Sequence, residues 1–238
     1  MFNSPFVDFI SDIPGLSLIE DCKPQPIQKF IPQWWKDFPN KKTTHDINNT
    51  NFGNAKVCPS FADYFSNGFV IPMWVDSYLY YDDEKKIYKW RSADYNFQWE
   101  THSNEQYIDN ASHKYMGKDS YFIFKILCPW RVITSPGYSL YQLPTFYNFN
   151  EDFSAMPGVR DSSVYHEMNI QILIHSNKKE IFIPRGTPLA HYIPFKKEKI
   201  QYNVREKNNK DIIKLSSHSL NIKTKFRPSD IYKKEKSK

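Results

Sequence analysis

Glycine is scarce in this chain, at seven of 238 residues. A phosphate cradle needs glycines where backbone amides close on the ligand, and neither a Walker pattern nor Gly-x-Gly-x-x-Gly occurs. Gly-x-Ser-x-Gly is missing too, so the nucleophile turn of a serine hydrolase has no candidate. Cysteine is limited to Cys22, Cys58 and Cys128, an odd and widely spaced set without Cys-x-x-Cys. That spacing argues against a secreted disulfide framework and leaves small thiols expected to be buried. Seven histidines include no His-x-His, His-x-x-x-His or His-Glu-x-x-His, so neither a metal site nor a cofactor is expected. No run of 18 apolar residues exists, and no membrane association is expected. Phe2-Asn3-Ser4-Pro5 opens the chain without a basic n-region, so secretion by a signal peptide is not expected.

Aromatic side chains are abundant: 18 Phe, 16 Tyr and 6 Trp. Each can remove roughly 150–250 Å² from water, which is ample material for one core. Sixteen prolines argue against long helices, since an interior proline costs about 3 kcal/mol. Charge is divided unevenly. Residues 196–238 hold fourteen Lys/Arg against five Asp/Glu, a net of +9, so the remaining 195 carry −3 of the total +6. The alkaline character therefore belongs to a basic tail on a mildly acidic body.

Three regions follow: an irregular N-terminal arm over 1–56, a β-rich core domain over 57–198, and a basic tail over 199–238, partly helical or disordered. In the arm, Ile31 to Pro39 reads as a short helix opened by Pro32 at its first position. A second short helix is expected over Pro59–Asn67, ended by Gly68. Strand signals follow at 69–81, interrupted at Pro72, with a turn at 82–86 into 87–91. They resume at 121–127, 130–134 and 138–143, and residues 144–160 read as a long aromatic loop. Tyr165–His175 carries the strongest pattern, with Met168, Ile170, Ile172 and Ile174 apolar and Glu167, Asn169 and Gln171 polar between them. That two-residue period predicts one buried and one wet face. Short connections then lead to 180–184 and 189–195, which predicts an antiparallel meander of three strands. The tail is expected to hold helices near 205–216 and 229–236. The fold class expected is mainly β (α+β), an antiparallel β-sandwich or barrel-like core with short N-terminal helices.

Four segments in order resemble an uncharacterised family of conserved hypothetical proteins, a domain of unknown function, of marine tailed phages with relatives in bacteria. Ile31-Pro32-Gln33-Trp34-Trp35-Lys36 is similar to a Pro-x-Trp-Trp/Tyr-Lys element. Val57-Cys58-Pro59 with Gly68-Phe69-Val70-Ile71 is similar to a Cys-x-Pro helix and Gly-Tyr strand. Cys128-Pro129-Trp130 with Ser135-Pro136-Gly137-Tyr138-Ser139 is similar to a Pro-Trp…Pro-x-Gly-Tyr-Ser element. Ile183 to Ala190 and Ile193-Pro194-Phe195-Lys196 are similar to Gly-Thr-Pro-hydrophobic-Ala…Pro-Phe-Lys. The likeness spans 29–198, about 70% of the chain. Arg160-Asp161-Ser162-Ser163 departs from the family's Asp-Thr-Asp-like segment by lacking the second acid. The resemblance implies a phage or bacterial source and a shared fold, and no reaction.

Candidate sites come from patterning. Glu167, Asn169 and Gln171 share one strand face, and Arg160 or Asp161 from the preceding loop could reach it; with His191 they form a candidate ligand groove. Adjacent Trp34 and Trp35 cannot face the same way on a short helix, so one is expected to pack and the other is a candidate partner-docking residue. The leading expectation is a phage-encoded, non-enzymatic protein, virion-associated or binding a host protein, in the host cytoplasm or the virion. The alternatives are an enzyme or small-ligand binder using the polar groove, and non-specific nucleic-acid binding through the basic tail 199–238. Oligomeric state is not encoded in any pattern found.

Overall fold

The computed structural model describes residues 5–38, 44–45, 51–52, 56, 58–85, 87–94, 97–101, 122–212 and 215. Its strands, in chain order, begin with β1 (Val7–Ser11), β2 (Gln25–Pro26), β3 (Thr44–His45) and β4 (Asn51–Phe52). They continue with β5 (Phe69–Pro72), β6 (Ser77–Asp82), β7 (Ile87–Ser92), β8 (Trp99–Thr101), β9 (Phe122–Ile126) and β10 (Trp130–Thr134). The last six are β11 (Tyr138–Leu143), β12 (Phe153–Ala155), β13 (Gly158–Arg160), β14 (Ile170–Ile174), β15 (Glu180–Ile183) and β16 (Pro188–Lys196). Short α-helices among the described residues include α1 (Gln33–Asp37) and α2 (Pro59–Tyr64). The expected mainly β class is therefore observed, with every strand pair antiparallel. Among the described residues no helix is long and apolar enough to cross a membrane.

The chain divides into two compact units, residues 1–30 with 68–198 and residues 31–67 with 199–238. The first holds a five-stranded sheet ordered β13-β11-β16-β5-β2 and a four-stranded sheet ordered β12-β14-β9-β8. A three-stranded sheet, β15-β6-β7, and the pair β1-β10 complete it. The N-terminal arm is thus less irregular than its sequence suggests, since β1 pairs with β10 and β2 with β5.

The predicted meander of β14, β15 and β16 does not form. Each of these consecutive strands joins a different sheet. The reason lies in two bent ribbons. β5 pairs with β16 and β6 with β15, so β5–β6 runs antiparallel to β15–β16 along one ribbon. At its corner Gly186 N–H donates to Met73 O (2.7 Å) and Met73 N–H donates to Thr187 O (2.8 Å). Pro72, Pro184 and Pro188 stand at this corner, where a missing N–H breaks a regular ladder. Gly186 has a φ of 87°, a conformation that favours glycine. A second ribbon pairs β9 with β14 and then β10 with residues 166–168, bending next to Cys128-Pro129. Here Val132 N–H donates to His166 O (2.9 Å) and Met168 N–H to Trp130 O (3.3 Å).

The predicted two-residue rhythm holds across that bend: Met168, Ile170, Ile172 and Ile174 are buried while Glu167, Asn169, Gln171 and Leu173 are half-exposed. In register, Ile172 faces Phe124 and Ile170 faces Ile126. They share one core with Leu140, Ala190 and Tyr192 of the five-stranded sheet and Leu79 and Ile181 of the three-stranded one. Each fully buried side chain of this kind contributes about 1.5–3 kcal/mol. Gly68, at φ 90°, sits so close to β16 that a Cβ would lie 2.2 Å from Tyr192 O.

The second unit contains α1, α2 and the pair β3-β4. Pro32 is the N-cap of α1 rather than its first helical residue, and Pro59 opens α2 as expected. Residues 209–212 are helical, within the span expected for the first tail helix. The second tail helix, at 229–236, lies outside the described residues.

Candidate functional site

The polar face predicted on residues 165–171 gathers a cluster, with a membership different from the one expected. Leaving β13, Arg160 turns its guanidinium back along residues 165–169. It donates to Asn169 O (2.8 Å) and to Glu167 O, and its Cζ lies 5.5 Å from the centre of the Tyr165 ring. Glu167 accepts from the Tyr165 hydroxyl (2.8 Å), from Arg131 Nη1 (3.3 Å) and from Asn169 Nδ2 (3.4 Å). Arg131 also donates through Nε to both carboxylate oxygens of Asp12, each at 2.9 Å. Arg160, Glu167 and Asn169 therefore converge as the sequence suggested, joined by Asp12, Arg131 and Tyr165.

The other three residues lie apart. Asp161 accepts from Lys197 Nζ (2.8 Å) and from the Ser163 hydroxyl (2.5 Å) in the loop before the strand. Gln171 lies on β14 opposite Lys125, which pairs with Glu100. His191 is fully buried in β16, in register with Val70 and Leu143 of the five-stranded sheet. The expected six-residue groove is replaced by a three-residue core of that set: β16 carries His191 into a different sheet from β14, Lys197 and Ser163 hold Asp161 in its loop, and Gln171 lies further along the strand opposite Lys125.

The cluster's chemistry is self-contained. Two guanidinium groups face two carboxylates, so its charge is balanced. The Tyr165 hydroxyl, followed by Arg131, holds the Glu167 carboxyl below the usual carboxylate range. The same contact with Glu167 raises the Tyr165 phenol. Lys197 and Ser163 bring Asp161 down to about 2. A general acid at neutral pH needs a raised carboxyl and a general base needs a group poised near 7; these groups move the other way. Such exposed pairs are each worth little in stability, and their effect here is to fix geometry.

Histidines follow separate local roles. His166 Nδ1 donates to Val132 O (2.9 Å), and His175 Nε2 shares a hydrogen bond with the Ser154 hydroxyl (3.1 Å). Among the described residues no group of three or more His, Cys, Asp or Glu is placed to hold a metal ion. The cysteines are unpaired thiols; burial pushes the Cys128 thiol up to about 12, which makes it a poor nucleophile.

Two concavities lie elsewhere in the first unit. One of about 200 Å³ is floored by Tyr81, Tyr88 and Phe122, whose rings meet edge to face, and is rimmed by His175 and residues 176–179. Its lysines are committed, Lys178 to Asp152 (2.9 Å) and Lys179 to Asp83 (2.5 Å). The other, of about 260 Å³, is formed by the aromatic loop and closed below by Phe153, Ala155 and Leu189. Phe146 and Phe149 stand out from this loop, 47% and 73% exposed. Its backbone is pinned: Asn148 Nδ2 donates to Phe30 O (2.6 Å), and Asn150 Oδ1 accepts from the amides of Asp152 and Phe153. Tyr147 sits at φ 71°, a strained setting for a bulky residue that persists only where neighbours impose it. Among the described residues no charged side chain lines this concavity.

In the second unit Trp35 is buried among Phe61 (ring centres 5.0 Å apart), Phe65 (5.1 Å) and Phe38 (6.5 Å), while Trp34 is half-exposed. The pair divides its directions as adjacent helical residues must.

Reasoning from sequence missed Arg131, Asp12 and Tyr165. Arg131 had a signal, as the outward residue between inward Trp130 and Val132 on β10. Asp12 had none, since its place depends on β1 pairing with a strand more than a hundred residues away. No protein-family model matches the chain, and no curated protein matches it.

Proposed function

We propose that this chain is a phage-encoded, non-enzymatic protein that works by binding another protein, as a virion component or as a partner of a host protein. The observation that carries the binding part is the pinned aromatic loop over 144–150, with Phe146 and Phe149 held outward above a cavity of about 260 Å³. Rigid, exposed aromatic side chains give large contact area at low entropic cost, which is what binding surfaces select. The phage assignment rests on the four ordered segments that resemble the phage family. The paired state of Glu167, Arg131 and Asp161 favours binding over proton-transfer chemistry. The site of action that follows is the host cytoplasm or the virion. The two larger sheets are read as the halves of a sandwich, a reading supported by the inward residues Leu140 and Tyr192 of one sharing a core with Phe124 and Ile172 of the other.

Mass spectrometry of purified virions tests the first branch: peptides of this chain in stable ratio to the structural proteins are expected, and their absence removes it. The variant Phe146→Ser/Phe149→Ser, which alters only exposed positions, is expected to fold and to lose incorporation or host-protein binding. Undiminished incorporation and binding refute the loop as the contact.

A further inference from the structure

Immediately after β16 the chain holds a segment that has the character of a strand and lacks a sheet. Residues 199–205 read Lys-Ile-Gln-Tyr-Asn-Val-Arg. Ile200, Tyr202 and Val204 alternate with polar residues, and all three rank among the strongest strand formers. They would stand on one face of an extended chain, with Lys199, Gln201, Asn203 and Arg205 on the other. Yet they are 83%, 90% and 87% exposed. Among the described residues the backbone of this segment enters no ladder and makes no backbone–backbone hydrogen bond.

The segment is bounded on its far side by a capped turn. Asn208 Oδ1 accepts from the Asp211 amide (3.1 Å), Asp211 Oδ2 accepts from the Asn208 amide (3.0 Å), and Arg205 Nη2 reaches Asp211 Oδ1 (2.8 Å). A period-two apolar row beside unpaired backbone groups is the pattern by which one chain adds a strand to another's sheet.

We propose that residues 199–205 add as a strand to a free sheet edge of a second copy of this chain, and that the accepting edge is β1. Charge selects a second copy: the segment opens the tail 199–238, of net +8, and the rest of the chain carries −2. The first unit has its own open edge in β1, which pairs on one side with β10 and, among the described residues, with no strand on the other. Its outward face presents Phe6 and Ile10, half-exposed, on either side of the exposed carboxylate of Asp8. Ile133 of β10, in register with Asp8, extends this apolar patch. Strand addition here lays Ile200, Tyr202 and Val204 beside Phe6 and Ile10 and pairs the backbone groups of both segments. Two such exchanges related by a two-fold axis close a dimer.

Sedimentation velocity of the full chain tests the proposal. Wild type is expected to self-associate at micromolar concentration, less strongly as salt rises. The variant Ile200→Ser/Tyr202→Ser/Val204→Ser, at positions that are almost fully exposed, is expected to fold normally. Its self-association constant is expected to weaken by more than about a hundredfold. Ile10→Lys, which places a cation on the accepting edge, is expected to do the same. A monomeric wild type, or a triple variant that associates as wild type does, overturns the proposal. Unchanged association of Ile10→Lys overturns β1 as the acceptor.

Discussion

Tyr192→Phe isolates one buried hydrogen bond. Tyr192 is fully buried on β16, and its hydroxyl donates to Gln142 Oε1 at 2.7 Å; Gln142, also buried, donates onward to Met156 O at 2.8 Å. Burial drives the Tyr192 phenol well above its ordinary range, so it remains a donor at every working pH. Removing the hydroxyl leaves the ring and its packing in place and strands the Gln142 carbonyl in the core. A buried acceptor without its partner costs about 1–3 kcal/mol. For a chain of this length that corresponds to a fall in Tm of roughly 2–12 °C. Urea unfolding followed by tryptophan fluorescence is expected to show a lower midpoint at unchanged slope, the mark of lost stability without a changed unfolded state. Tyr141→Phe is the control. It lies on the same sheet, 42% exposed with its ring stacked on Phe195, and should stay within about 0.5 kcal/mol of wild type. A Tyr192→Phe midpoint equal to that of Tyr141→Phe refutes the reasoning.

Two further outcomes are expected. Gly68→Ala combines a φ of 90° with a Cβ that would meet Tyr192 O at 2.2 Å, a backbone atom that cannot swing aside; a loss of more than about 2 kcal/mol in urea unfolding is expected, and a loss under about 0.5 kcal/mol refutes the close approach. Asp82, bonded to Lys89 and the Lys85 amide, and Asp161, bonded to Lys197 and Ser163, have carboxyls lowered to about 2; their contribution is complete above the unfolded value near 4 and disappears as pH falls through about 2. Acid titration of Tm should therefore fall less steeply between those limits in Asp82→Asn and Asp161→Asn, and equal slopes in wild type and variants refute the assignment.

How much of this could be read beforehand depends on the range of the interaction. β10 and β11 are found at the residues their alternation marked, 130–134 and 138–143, and Pro72 ends β5 as a missing N–H requires. These are local effects of side-chain period and backbone chemistry. Which strand pairs with which was illegible. Short connections at 176–179 and 184–187 look like hairpin turns, but prolines and a left-handed Gly186 make the second a corner instead. β12 and β13 were hidden inside an apparent loop because three-residue strands give too little alternation to register. The candidate site divided along the same line. Glu167 and Asn169 share a face by strand geometry, whereas the sheet that holds His191 is set by long-range pairings that no local pattern encodes.

The position of β16 constrains how the molecule can be made. It is the middle strand of the five-stranded sheet, between β11 and β5, and it comes last of the five in the chain. A ribosome releases β5 more than a hundred residues before the strand that will pair with its edge opposite β2. Until then, β5 and β11 are open templates for any other extended chain in reach. High sequence separation of this kind slows folding, because loop closure comes before the contacts that reward it. Prolines along β16, at 188 and 194, remove donors from that late-arriving strand. They leave the nascent sheet with fewer ways to pair out of register while it waits.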